Sequence, residues 1–320
     1  MKKLALNVLR RCGLFSLTRA VSANMARILM YHNFSGATGD GLSETGAREQ
    51  FNYLRRHFRV VPLSRIVEQL ATGKELESRW VALTIDDGRR NCYELLFPLL
   101  KEYQVPATFF VVSSFIAGKD WLWTDKVLWL REQLARPDEL ASHTLAGVFR
   151  SLNRMRPEAR NQRINRWAAS ARVSLPQRAP MKYAPCTWEE LREMAGSGLV
   201  EIGSHTTTHP ILSSITDQES WKELTESRRQ IEEGVGRKVS SFCFPNGLPG
   251  DYRPSQVKQL VAAGYRCAVV ADFGLVRNGA DSYHLPRIGM ERKTEPVDIA
   301  KYLDGAAYYQ SKLWPRGKVR

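Results

Sequence analysis

No apolar run in this 320-residue chain approaches the roughly 20 residues that cross a bilayer. The apolar stretch after Lys3 is broken by Asn7, Arg10 and Arg11 and is too short for a secretory signal. Cysteine is scarce: Cys12, Cys92, Cys186, Cys243 and Cys267 are odd in number and scattered, which excludes a disulfide framework and zinc-knuckle spacing and suggests reduced, buried thiols. These features point to the cytoplasm. Internal repeats, low-complexity tracts and long linkers are also missing, so one large domain is expected. Acidic residues are in short supply, 33 against 47 basic ones, for a net charge of +14. Such a surface attracts phosphates, but no groove-reading motif accompanies it, and no nucleic-acid partner is expected.

What is present is alternation. Apolar runs recur at 27–31, 60–63, 81–85, 107–112, 199–202, 239–244, 267–271 and 285–290. Amphipathic helical patterns lie between many of them, at 48–58, 63–70, 93–103, 187–195, 219–233 and 254–263. Alternating strand and helix predicts parallel strands with crossover helices. The expected fold is α/β, a distorted (β/α) barrel of seven or eight mostly parallel strands over residues 27–305, with its site at the C-terminal mouth. Residues 117–185 break the pattern and predict a helical insert. It carries Trp121, Trp123, Trp129 and Trp167, which would either face sugar rings or pack the insert's own core. Its Arg150, Arg154, Arg156, Arg160, Arg163 and Arg166 read mainly as a solvated face, or as a contact for an anionic glycan, lipid diphosphate or membrane.

Residues 1–26 interleave Lys2, Lys3, Arg10, Arg11 and Arg19 with Leu4, Leu6, Val8, Leu9, Leu14, Phe15 and Leu17, a basic amphipathic helix. It would either lie on anionic lipid at the inner face of the membrane, near lipid-linked sugars, or pack under the barrel. Residues 306–320 read as a basic tail.

The chemistry sits in two polar runs that follow apolar ones, Thr84-Ile85-Asp86-Asp87-Gly88 and His205-Thr206-Thr207-Thr208-His209. One carboxylate with two imidazoles is a common catalytic zinc set, because three protein ligands leave a fourth position open. The i, i+4 spacing predicts both histidines on one helical turn, which Pro210 would end. Gly88 would permit a turn that aims neighbouring carboxylates at one cleft.

These residues resemble the polysaccharide deacetylase family, the group with the nodulation-protein-B homology domain, whose motifs read Thr-Phe-Asp-Asp-Gly and His-Ser/Thr-x-x-His. The resemblance spans residues 27–288. It implies Asp86 as general base, Asp87, His205 and His209 as ligands of a divalent metal, zinc by expectation, and hydrolysis of acetyl from an N-acetylated sugar. The family's third motif, Arg-x-Pro-Tyr, is met only in part by Cys243-Phe244-Pro245-Asn246-Gly247, and its arginine is missing. The permuted subgroup of poly-N-acetylglucosamine deacetylases is most similar, having an aromatic-Pro-x-Gly segment and an early Tyr-His, here Tyr31-His32. That subgroup implies His32 as general acid. Arg287 is the candidate to orient Asp86, His284 a rival acid, and the backbone N–H of Asn246 a partner for the oxyanion. The lost arginine leaves a second reading, a catalytically weakened glycan-binding or scaffold protein of polysaccharide biosynthesis.

Overall fold

The computed structural model describes residues 6, 8–9, 11–35, 41–133 and 144–313. Its strands are β1 (Arg27–Tyr31), β2 (Phe34–Ser35), β3 (Leu42–Ser43), β4 (Arg59–Val60), β5 (Trp80–Ile85), β6 (Ala107–Val111), β7 (Val200–Ser204), β8 (Ser241–Cys243), β9 (Cys267–Phe273) and β10 (Leu285–Gly289). Seven of them close a parallel barrel in the order β1-β10-β9-β8-β7-β6-β5, with β5 returning to β1. All six residues of β5 are buried, as expected of a strand covered on both faces. Each fully buried Val, Leu or Ile there contributes about 1.5–3 kcal/mol.

All six amphipathic patterns become outer helices: Glu44–His57, Leu63–Ala71, Phe97–Tyr103, Trp188–Gly196, Asp217–Val235 and Pro254–Ala262. Two are fixed by reciprocal capping, Thr187 with Glu190 and Thr216 with Glu219. The apolar run at 60–63 is no full strand. Only Arg59–Val60 pairs with β5, because Pro62 cannot donate to a ladder and Leu63 already opens a helix.

Within the insert, helices Trp123–Gln133, Leu145–Asn153 and Pro157–Ser170 share a core that includes Trp123, Leu130, Leu152, Ile164 and Trp167. Trp121 packs edge-on against Trp129 in a neighbouring cluster. Near the N-terminus the helix Leu14–Val21 buries Phe15 against Val297 and Ala300 of Pro296–Leu303. The other residues of the expected 1–26 helix include 1–5, 7 and 10, outside the described residues. The expected tail begins as a helix, Ala306–Leu313, because Ala307 and Tyr308 find apolar cover; 314–320 lie outside the described residues.

Candidate active site

Register brings the candidate residues to the C-terminal ends of the strands. Tyr31 of β1 sits opposite Ile85 of β5, so His32 and Asp86 follow side by side, and the Asp86 N–H donates to the Tyr31 carbonyl at 2.9 Å. Val111 pairs with Ser204, and the His205 N–H donates to the Val111 carbonyl at 3.0 Å. Gly203 lets β7 approach closely, since a Cβ there would lie 2.5 Å from the Phe110 ring. Asp87 has φ +76° and Gly88 φ +83°; the turn they make separates the two carboxylates. Asp86 faces into the barrel toward Arg287, and Asp87 faces the histidines.

His205 and His209 are not on a helical turn. They lie in an irregular loop in which Thr206 (φ 69°) and His209 (φ 57°) are left-handed. The loop is held from outside: Glu223, on the helix Asp217–Val235, accepts from the Thr207 and Thr208 N–H groups at 2.7 and 2.9 Å and from the Thr208 hydroxyl at 2.6 Å. A carboxylate that satisfies three loop donors replaces the hydrogen bonds a helix would have made.

The two imidazole Nε2 atoms are 3.2 Å apart, and the Asp87 Oδ1 is 3.7 Å from each. His205 Nδ1 lies 2.7 Å from the Cys243 carbonyl, which only accepts, so Nδ1 carries the proton and Nε2 presents its lone pair. In a tetrahedral zinc set with bonds of 2.0–2.1 Å the donors stand about 3.3 Å apart, which these three atoms match closely. Burial lowers both imidazoles from their ordinary value, His209 to about 3 with the help of His205, although Asp87 opposes the shift. Both are therefore neutral near pH 7, the form that binds metal. Burial would raise the Asp87 carboxyl, but the charges of Arg89 and His32 outweigh it and hold it low. The donors fit a divalent ion. A second trio, Asp86, His205 and Cys243, fits poorly. Burial and the neighbouring carboxylates keep the Cys243 thiol far above its ordinary value despite Arg287, so it remains protonated.

Asp86 is gripped by Arg287, from β10, with Nη1 to Oδ1 at 2.7 Å and Nη2 to Oδ2 at 2.8 Å, both residues almost fully buried. Burial would raise the Asp86 carboxyl, yet this fork and the charge of His32 keep it well below the usual carboxylate range. His32 stands with Nε2 3.7 Å from Asp86 and Nδ1 3.3 Å from Glu291. Burial would lower the imidazolium, but the hydrogen bond to Glu291 and the charges of Asp86, Glu291 and Asp87 raise it to about 9. Its side chain is still 39% exposed, so solvent screens part of that effect. One cavity is lined by His32, Asp86, Asp87, both histidines and Asn246, which has φ +60° and its side chain on Asp251, and whose N–H meets no acceptor among the described residues. His284 does not line that cavity; it pairs with Tyr252 and Asp272.

A profile of polysaccharide deacetylases matches residues 73–268. The chain belongs to the polysaccharide deacetylase family. The matched span holds Asp86, Asp87, both histidines and the 243–247 segment, whereas His32, Arg287 and Glu291 lie outside it. The poly-β-1,6-N-acetyl-D-glucosamine N-deacetylase of Escherichia coli K12 is 26% identical over 183 residues, covering 56% of this chain and 20% of that protein. The chitooligosaccharide deacetylase of a Bradyrhizobium strain is 28% identical over 130 residues, covering 39% of this chain and 55% of that protein. The chain thus spans between a fifth and about half the length of these curated relatives. Among solved structures, Streptococcus pyogenes deacetylase PplD in complex with acetate superposes with a TM-score of 0.61 at 15% identity, over 88% of this chain and 99% of that one. IcaB from Ammonifex degensii gives 0.60 at 20% identity, over 88% and 97%. At those identities the likeness is one of fold.

Several members of the site had no local signal. Glu291 touches His32 across 259 positions of sequence; Arg287, offered by the late segment as the residue to orient Asp86, reaches it across 201. Glu223 is marked only by a run of threonines that needs an acceptor. Of the insert's tryptophans, Trp123 lines the cavity, together with Phe149.

Proposed function

We propose that this chain is a metal-dependent hydrolase that removes acetyl from an N-acetylated sugar of a glycan, with Asp87, His205 and His209 holding a divalent ion, zinc by the character of the donor set. The observation that carries the proposal is the convergence of three buried metal donors with an arginine-held carboxylate and a partly exposed imidazole at one cavity of about 410 Å³. Such an ion, when bound, would polarise the acetyl carbonyl and acidify the attacking water. Asp86 takes the water's proton; Arg287 holds its two oxygens in place for that task. The Asn246 N–H meets the developing oxyanion. His32 delivers a proton to the departing amine nitrogen, and Glu291 keeps the imidazole protonated and oriented.

A second cavity of about 600 Å³ shares His32, Asp87, Thr124 and Phe149 with the first. Space on both sides of the reacting centre supports a glycan chain running past it. The scaffold reading loses its motive, because the guanidinium absent from the third motif is supplied by Arg287. Incubation with N-acetylglucosamine oligomers should release free acetate, and a chelator should stop it. No acetate from any N-acetylated oligomer, with a folded, metal-loaded protein, would sink the proposal.

The raised His32 value sets the sign of the alkaline limb. The acid form is present below about 9 and is lost as pH rises through that value. Glu291→Gln removes the stabilising carboxylate, so the limb of kcat/KM should move down toward the ordinary imidazole value of about 6.5. A limb that stays in place would assign it to another group.

No helix among the described residues is long and apolar enough to cross a membrane. Peripheral contact with an anionic bilayer at the inner membrane face, where lipid-linked sugars would be met, belongs to the same proposal. It is supported by Leu14, Leu17 and Val21, exposed at 39, 60 and 63% on one short helix beside Arg11. Salt should release the protein from anionic vesicles, since a Debye length of about 10 Å at 0.1 M screens surface charge. Binding that ignores both salt and lipid charge would exclude the contact.

A further inference from the structure

The two carboxylate oxygens of Asp87 have different neighbours. Oδ1 faces the histidines, whereas Oδ2 receives the Arg89 guanidinium, Nη2 at 3.2 Å and Nε at 3.3 Å. The same guanidinium forks onto Asp125, Nη1 at 2.6 Å and Nη2 at 2.8 Å. Asp125 is fully buried on the first helix of the insert, and Arg89 is only 12% exposed. The far end of the insert grips the same loop by its backbone. The Arg90 N–H donates to the Ala184 carbonyl at 2.9 Å, and the Cys186 N–H donates to the Gly88 carbonyl at 2.9 Å. Next to these grips stands Asp87, a non-glycine residue in left-handed backbone, a conformation that persists only where its surroundings enforce it.

We infer that Asp125, acting through Arg89, is a positioning residue for Asp87, so that the helical insert is a working part of the metal site. The inference rests on the metal-dependent reading above. A lone arginine beside Asp87 would compete with the ion for its carboxylate. Asp125 accepts two of the guanidinium's four hydrogen bonds to the aspartates and fixes its plane, leaving one Asp87 oxygen held and the other turned to the histidines. A lysine cannot do this, because a point charge has no fork to bridge two carboxylates.

The test strips the full-length protein of metal and titrates it with zinc against a chromophoric chelator. Asp125→Asn should bind zinc about 10- to 100-fold more weakly, the usual effect of losing a residue behind a ligand. In an Arg89→Gln background the same Asp125→Asn change should alter affinity by less than about twofold, because Asp125 acts only through that guanidinium. Unchanged affinity in a folded Asp125→Asn protein would overturn the inference, as would an equal loss in both backgrounds, the mark of a merely structural role. If Asp125→Asn does not fold, Arg89→Lys decides: a tenfold or greater loss supports the inference and wild-type affinity overturns it. A wild-type chain that takes up no zinc would bring down the metal reading and the inference with it. Zinc bound equally by wild type and variants would bring down the inference alone.

Discussion

Asp86→Asn is expected to keep its divalent ion and lose about 100- to 10,000-fold in kcat, the contribution of a positioned general base. The amide has the volume and one acceptor of the carboxylate but cannot take a proton. The geometry predicts a second effect of the same substitution. Arg287 is buried with Asp86 as its only carboxylate partner among the described residues, so neutralising that partner leaves a desolvated cation and should cost up to about 3–5 kcal/mol of stability. Assays therefore belong well below the variant's melting temperature, with bound metal counted in the same sample. An Asp86→Asn protein with full activity, or one that loses its ion, would remove Asp86 from the role of base.

His209→Ala should behave in the opposite way, losing the ion and with it the activity, while the metal-free fold changes little. The His209 Nδ1 is buried without a hydrogen-bond partner among the described residues, so truncation removes an unsatisfied polar atom along with the ring. Asp87→Asn, which tolerates the left-handed backbone, should also lose the ion. Thermal melts separate the effects. Wild type should melt lower in a chelator, because an ion bound only by the folded state stabilises it by mass action, whereas the variants should melt alike with and without one. Stoichiometric metal in both variants would refute the ligand set. Together the three substitutions would distinguish a residue that works on the substrate from residues that hold the ion.

The barrel was legible in the chain because burial on both faces makes each inner strand a short apolar run, and crossover helices announce themselves by their period. The exception at 60–63 shows the limit. Four apolar or neutral residues in a row look alike as strand or as helix start, and a proline's missing donor decided between them. The histidine loop shows another. Spacing of four suits a helix, but a half-buried glutamate on a neighbouring helix supplied acceptors that let the loop take left-handed turns instead.

The sequence by itself determined which residue types are available and which pairs are neighbours: Asp86 beside Asp87, and His205 within one loop of His209. Those relations are covalent and local, so they survive without a fold. Only tertiary structure brings each carboxylate into contact with its partner. Barrel closure sets β10 beside β1, and that register delivers Arg287 to Asp86 and Glu291 to His32. The insert folds back to hold Arg89 and, through it, Asp87. Ion pairs of this kind depend on angstrom-scale distances between residues far apart in the chain, and no periodicity or local spacing encodes them.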